Sequence, residues 1–131
     1  MRKTIYALAT MDTKADELCF VADAIRNAGL DVVLIDLSTR GHSDRADISA
    51  EIVAAAHPAG PAQVLKQTDR GQAVTAMAAA LRVWLPDQIK TKEIAGVIAI
   101  GGSGGTAMVA PALQALPVGL PKLIVSTVAS G

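Results

Sequence analysis

The sequence predicts an α/β domain of the three-layer, Rossmann-like (doubly wound) kind, built on a parallel sheet. Short apolar, β-branched segments alternate with helical patterns along all 131 residues, as they do in α/β folds. These segments are apolar almost without interruption, which is typical of parallel strands covered on both faces. Since 51% of the residues are apolar and 18% are charged, a single domain of this length has a sizeable core.

The first part of the chain predicts a strand–helix–strand unit. The two strands are expected at Thr4–Thr10 and Asp31–Leu37. We expect Asp12 or Thr13 to cap the intervening helix, and Ala28-Gly29 to end it. Such a unit is a right-handed crossover in nearly all known proteins.

The long connection that follows predicts two helices. A short one is expected from a cap at Ser49 to His57, before a break at Pro58. An amphipathic helix is expected over Asp69–Leu85, and Pro86 is expected to stop it.

The last part of the chain predicts a second strand–helix–strand unit. Its strands are expected at Gly96–Ile100 and Lys122–Val128. The helix between them is expected to begin after Gly105 and to run to about Leu116.

Two loops meet at the predicted binding edge of the sheet. In a doubly wound sheet the strand order is 2-1-3-4, and ligands bind outside the carboxyl ends of strands one and three. The loops at that point are TMDTK (Thr10–Lys14) and GGSGGT (Gly101–Thr106), with Asp36 on one side and Ser126–Gly131 on the other.

The GGSGGT segment predicts a cradle for an anion. Glycines let a ligand approach the backbone closely, and successive N–H groups at a helix N-terminus attract negative charge. The alternative is a tight turn that binds nothing. A Walker loop would need a lysine in place of Ala107, and the dinucleotide fingerprint should follow the first strand instead of the third. The candidate residues are Gly101, Gly102, Ser103, Gly104, Gly105 and Thr106.

The neighbouring loops supply further candidates. Lys14 can reach a phosphate as a point charge, whereas Asp12 can hold Mg²⁺ or orient a ligand hydroxyl. Asp36 stands where carboxylates often bind ribose hydroxyls. Each of these residues also has a structural interpretation, as a helix cap, a solvated side chain or a turn residue. The remaining candidates are Thr10, Thr13, Ser126, Thr127 and Ser130.

Composition and charge exclude several classes of function. Zero net charge and an aromatic content of 2% argue against nucleic-acid binding. The single cysteine, Cys19, excludes an internal disulfide and a cysteine-rich zinc site, and it favours a reducing, cytoplasmic setting. Glycines and prolines interrupt the uncharged stretch Ile94–Pro121, so we expect no membrane helix. No metal site is assigned to protein ligands alone.

Several motifs together indicate a family. TMDTK, GVIAIGGSGGT, LPVGLPK and VSTVASG occur in this order, and in this respect the chain resembles the N-terminal part of the tomato mosaic virus resistance protein-like family. Members of that family are described as ATP-binding and are otherwise uncharacterised. The resemblance implies ATP as the ligand, bound by Thr10, Asp12, Thr13, Lys14 and Gly101–Thr106, with an extension to Asp36 and Ser126–Gly131. Mg²⁺ is expected with it because bound triphosphates usually carry this ion. It also implies that residues 1–131 are one nucleotide-binding domain, which a barrel-like domain follows in the longer proteins.

Three functions remain open at this stage. The first is an ATP- or nucleotide-binding domain with its phosphates at GGSGGT. The second is a phosphotransferase or other enzyme half-site for a phosphorylated or carboxylated small metabolite; GGSGGT loosely resembles the GGDGT loop of phosphofructokinases and NAD kinases, with Ser103 in place of the aspartate. The third is a non-catalytic module in which a nucleotide stabilises a dimer or another homo-oligomer. The sequence leaves open whether the protein is an enzyme.

Overall fold

The structure is a computed structural model that describes residues 3–127. Residues 128–131, and with them the candidate Ser130, lie outside the described residues. The elements, in chain order, are β1 (Thr4–Ala9), α1 (Met11–Asn27), β2 (Asp31–Asp36), α2 (Ala50–Ala54), α3 (Ala62–Leu65), α4 (Arg70–Thr91), β3 (Ile94–Gly101), α5 (Ser103–Gln114) and β4 (Lys122–Ser126).

The four strands form one parallel sheet in the order β2-β1-β3-β4. This confirms both the predicted fold class and the predicted strand order. Ala9 at the end of β1 pairs with Asp36 at the end of β2, and Gly101 at the end of β3 pairs with Ser126 at the end of β4. The carboxyl ends of all four strands therefore share one edge, and the strand order reverses between β1 and β3.

Helices cover both faces of the sheet. Alternate side chains of β1 point to opposite faces, so that Tyr6 and Leu8 pack with α2, α3, α4 and α5, whereas Ala7 and Ala9 pack with α1. Both clusters consist of buried apolar side chains, which explains why the strands read as continuous apolar runs.

The predicted cap of the first helix was wrong. The helix begins at Met11, and its N-cap residue is Thr10 instead of Asp12 or Thr13. Buried Met11 extends the apolar side of α1 into the core. The predicted end is confirmed, because Ala28 is the C-cap and Gly29 has a φ of 92°.

Pro86 does not stop the fourth helix as predicted. α4 continues to Thr91, with Pro86 inside it. Proline removes the hydrogen bond to the carbonyl of Arg82, but that residue is exposed and water can take its place. Beyond the proline, Ile89 packs against the core and Gln88 accepts a 3.0 Å hydrogen bond from the Tyr6 hydroxyl. Tertiary contacts therefore outweigh the local cost.

Two other helices also differ from their predicted bounds. The helix after β3 begins at Ser103, before Gly105, because the N–H of Thr106 already donates to the carbonyl of Gly102 at 2.9 Å. The short helix capped at Ser49 ends at Ala54, and the one-turn helix α3 was not predicted. Burial of Val64, at 0% exposure, holds α3 on the core despite the flanking glycine and proline.

Candidate functional site

A cleft of about 490 Å³ opens at the carboxyl edge of the sheet, where the strand order reverses. This volume lies within the range of about 300–1,000 Å³ that small-molecule sites occupy. Eight of the predicted candidates line it, namely Thr10, Asp12, Thr13, Lys14, Gly102, Ser103, Gly104 and Gly105. Five further residues also line it, namely Thr39, Arg40, Arg70, Val74 and Met108.

The buried carboxylate of Asp36 holds the start of α1, which lines the cleft, to the loop after β2. This carboxylate is 1% exposed and accepts hydrogen bonds from the backbone N–H groups of Met11 (3.0 Å), Ser38 (2.9 Å) and Ser43 (3.1 Å), and from the hydroxyl of Ser38. In turn, the Ser38 oxygen accepts a 2.9 Å hydrogen bond from the N–H of Asp12. This buried network joins the start of α1 to the loop after β2. Asp36 is not among the residues that line the cleft, and its predicted contact with ribose stays a prediction.

The start of α1 satisfies its own backbone donors. Besides the N–H groups of Met11 and Asp12, those of Thr13 and Lys14 donate to the carbonyl of Thr10 at 3.2 and 2.9 Å. The hydroxyls of Thr10 and Thr13 lie 3.3 Å apart. This loop therefore presents side chains, and not backbone N–H groups, to the cleft.

Lys14 and Asp12 bring opposite charges to this wall. Lys14 departs from helical geometry, with φ −121° and ψ 17°. Its ammonium lies 3.5 Å from a carboxylate oxygen of Glu17, one turn further along. Asp12 is exposed, and it is the one acidic residue among those that line the cleft.

The start of α5 differs, because its backbone donors remain open. Gly102 is the N-cap and has no side chain to cap the helix. Among the described residues, the N–H groups of Ser103, Gly104 and Gly105 have no acceptor, as expected for the first turn of an uncapped helix. All three residues line the cleft.

The glycines of GGSGGT differ in whether the fold requires them. A Cβ atom on Gly101 would lie 2.9 Å from backbone atoms of Gly105, so close packing of β3 against α5 requires glycine there. A Cβ atom on Gly104 would meet nothing within 4 Å, and the φ of Gly104 is not positive. The fold itself therefore gives no reason for a glycine at position 104.

The other predicted candidates do not line the cleft. Gly101, Thr106, Ser126 and Thr127 are absent from its walls. Thr127 donates a 3.0 Å backbone hydrogen bond to the carbonyl of Gly101 and thus continues the β3–β4 pairing. The Oγ1 atom of Thr106 is buried and has no hydrogen-bond partner among the described residues.

Two arginines outside the predicted candidates add positive charge to the cleft. Arg40 lies in the loop after β2, and Arg70 is the first residue of α4. A guanidinium nitrogen of Arg40 donates to the carbonyl of Thr68 at 2.8 Å, and this hydrogen bond joins the loop after β2 to the segment that precedes α4. Among the described residues, three basic side chains (those of Lys14, Arg40 and Arg70) and one carboxylate (that of Asp12) line the cleft. The position of Arg70 at a helix start on the binding edge was the signal that could have identified it.

Val74 and Met108 form the apolar part of the cleft. Val74 lies one helical turn after Arg70, and Met108 one turn after Gly104. Because α4 and α5 each lead away from the carboxyl edge of the sheet, these side chains lie deeper than the polar rim. Residues at spacing i,i+4 share a helix face, and this spacing could have placed both in the site.

Within residues 3–127, no group of three or more His, Cys, Asp or Glu side chains is placed to hold a metal ion. In the same range, no helix combines the length and apolar character needed to cross a bilayer.

Fold and site together define a Rossmann-like α/β domain with a basic cleft at its topological switch point. The chain belongs to the uncharacterised protein family UPF0261, whose N-terminal domain it matches over residues 3–131. The UPF0261 protein of Rhizobium meliloti (strain 1021) is 46% identical over 129 residues, which is 98% of this chain and 32% of that relative.

More distant relatives confirm the resemblance inferred from the motifs. The UPF0261 protein of Clostridium tetani (strain Massachusetts / E88) is 38% identical over 100% of this chain and 33% of its own length. The ToMV susceptible protein tm-1(GCR26) of Solanum lycopersicum is 35% identical over 97% of this chain and 19% of its own length. This chain thus spans a third or less of these relatives.

Proposed function

We propose that the cleft binds ATP or a related nucleotide, with its phosphates at the start of α5. The observation that carries the proposal is the open first turn of α5, where three N–H groups line the cleft and Gly104 leaves the approach to them clear. Backbone donors of this kind are a ready-made phosphate site.

A comparison with the other helices at the cleft supports this choice. The first N–H groups of α1 are bonded to Asp36, Ser38 and Thr10. In α4, the Asp69 carboxylate accepts from the N–H groups of Gly71 and Gln72 at 2.7 and 3.3 Å. Of the three, α5 alone has no acceptor among the described residues for any of its first three N–H groups, although its start lies inside a basic cleft.

The charges of the cleft fit a phosphate chain with its ion. Lys14, Arg40 and Arg70 complement an anion, and Asp12 can share the Mg²⁺ that bound triphosphates usually carry. Such an ion takes most of its ligands from phosphates and water, so a single carboxylate suffices. Val74 and Met108 offer apolar surface to the base or ribose. Asp36 positions the α1 wall in this arrangement.

The proposal also covers the cellular location, the oligomeric state and the partners of the protein. We infer a cytoplasmic protein, where ATP is abundant and the thiol of Cys19 stays reduced. We infer a homo-oligomer, and neither nucleic acid nor membrane as partner. Because the chain spans 32% of its Rhizobium relative, any activity of the longer proteins is proposed only as far as this site supports it.

A second candidate function is phosphoryl transfer, and the position of Asp12 favours it. Its exposed carboxylate lines the same cleft as the open N–H groups of α5. It could therefore hold the metal ion during transfer to a phosphorylated or carboxylated metabolite. Release or transfer of phosphate that Asp12→Asn abolishes, while ATP still binds, would distinguish an enzyme from a binding module.

Thermal melting with a ligand panel tests the proposal. The panel is ATP with Mg²⁺, ADP, NAD and inorganic phosphate, each added to the wild type, to Gly104→Val and to Ala107→Val. Ala107 lies on α5, is exposed and does not line the cleft, so its variant controls for a β-branched side chain in the same helix. We expect ATP to stabilise the wild type and Ala107→Val but not Gly104→Val. An equal shift in all three proteins would contradict the proposal.

A further inference from the structure

We propose that Arg40 and Arg70 form a second anion-binding point in the cleft and select ligands with an extended phosphate chain over monophosphates. This inference rests on the proposed nucleotide site and adds the ligand class that it prefers. It is carried by the arrangement of the two guanidinium groups.

The hydrogen bond between Arg40 and Thr68 holds the loop of Arg40 to the segment that leads into α4. Arg40 donates to the carbonyl of Thr68 at 2.8 Å, two residues before Arg70. Both side chains line the cleft. A loop that follows β2 is thereby held against the start of α4, and the guanidinium of Arg40 keeps a defined position.

No carboxylate among the described residues forms an ion pair with either arginine. The side chain of Arg70 forms no hydrogen bond or ion pair within residues 3–127. Asp69 stands between Thr68 and Arg70, but one of its oxygens already accepts the two backbone N–H groups that cap α4. Like charges on one wall of a cleft repel each other, and an anion between them removes that repulsion.

The pair stands on other elements than the first phosphate point, which is the start of α5. Arg40 reaches the cleft from the loop after β2, and Arg70 reaches it from α4, which packs on the same face of the sheet as α5. A single phosphate on the N–H groups of α5 needs only the first of these two binding points. A chain of two or three phosphates can meet both, and the planar guanidinium can bind two phosphate oxygens at once.

Direct binding of a graded ligand series tests this inference. Dissociation constants for AMP, ADP, ATP and inorganic tripolyphosphate are measured by calorimetry for the wild type, Arg70→Gln and Arg70→Lys. Arg82→Gln is the matched control, because Arg82 is exposed on α4 about three turns further on and does not line the cleft. Because the side chain of Arg70 has no partner within residues 3–127, its variants are expected to fold as the wild type does.

We expect Arg70→Gln to weaken ATP and tripolyphosphate binding about tenfold, the effect of losing one charge-assisted contact, and AMP binding less than about twofold. Arg70→Lys should recover only part of the loss, because an ammonium is a point charge. Equal losses for AMP and ATP, full recovery by lysine or the same loss in Arg82→Gln would overturn the second binding point. The nucleotide proposal would stand if wild-type protein still bound ATP. If the protein binds tripolyphosphate but not ATP, the nucleotide proposal is wrong, and the effect of the Arg70 variants on tripolyphosphate binding decides whether the second binding point exists. Binding of none of the four would overturn both proposals.

Discussion

Replacing Gly104 by alanine should make the free protein more stable and its ligand complex weaker. A Cβ atom at this position meets nothing within 4 Å, and the residue has helical, not positive, φ. At such a site, alanine stabilises a protein by about 0.4–1 kcal/mol, because it restricts the unfolded chain. Structural glycines behave in the opposite way, so the sign of the change is itself informative.

The expected temperature shifts follow from the size of the chain. For 131 residues, an unfolding entropy of about 2.1 cal/mol/K per residue gives about 0.28 kcal/mol/K. The alanine variant should therefore melt about 1.5–4 °C above the wild type without ligand. A ligand at about 100 times its dissociation constant adds about 2.7 kcal/mol, or about 10 °C.

The added methyl group should remove part of the stabilisation that the bound ligand provides. If it weakens phosphate binding about tenfold, the same ligand concentration stabilises the variant by only about 1.4 kcal/mol, or about 5 °C. Differential scanning calorimetry of both proteins, with and without ATP and Mg²⁺, measures all four values. An alanine variant that melts below the free wild type, or that keeps the full ATP shift, would refute the reasoning.

Three further predictions concern the structure around the cleft. Gly101→Ala should lower the free energy of unfolding by about 1–3 kcal/mol in urea titrations, because its Cβ atom would lie 2.9 Å from the backbone of Gly105; unchanged stability would contradict that packing. Asp36→Asn should cost about 2–3 kcal/mol and weaken ATP binding, because an amide group cannot accept all the hydrogen bonds that the carboxylate accepts; chemical denaturation and calorimetry check the two effects, and wild-type values in both would refute the anchoring role. Burial raises the pKa of the Tyr6 hydroxyl above its ordinary value of 10.0. The folded protein therefore keeps this proton at pH values at which the unfolded chain loses it, so the free energy of unfolding should fall as the pH rises from about 10 towards the folded pKa. Because Tyr6 is the single tyrosine, absorbance of tyrosinate reports its pKa directly, and a midpoint at or below 10 would contradict the burial.

The strand order could be predicted because it follows from a pattern that is local in sequence. Continuous apolar segments separated by helices leave few parallel arrangements, and the crossover rule selects among them. The rule that ligands bind at the carboxyl ends of the strands, where the strand order reverses, placed Lys14 and Gly104 at one edge of the sheet. The structure brings both residues into one cleft.

Other features depend on contacts that no local pattern contains. The continuation of α4 past Pro86 relies on Ile89 in the core and on the hydrogen bond between Tyr6 and Gln88. The course of the loop after β2, which brings Arg40 to Thr68, depends on where that loop folds back. Asp36 has the position expected of a ligand carboxylate, and only its four hydrogen-bond donors reveal its anchoring role.

The most direct test of phosphate binding at α5 follows the backbone N–H groups themselves. Nuclear magnetic resonance of ¹⁵N-labelled protein, titrated with ATP and Mg²⁺, locates the binding site residue by residue. The N–H signals of Ser103, Gly104 and Gly105 should move furthest, because they are the open donors of the first turn, and inorganic tripolyphosphate should move the same signals. Shifts that centre elsewhere in the chain, or no shift at saturating ATP, would contradict the account.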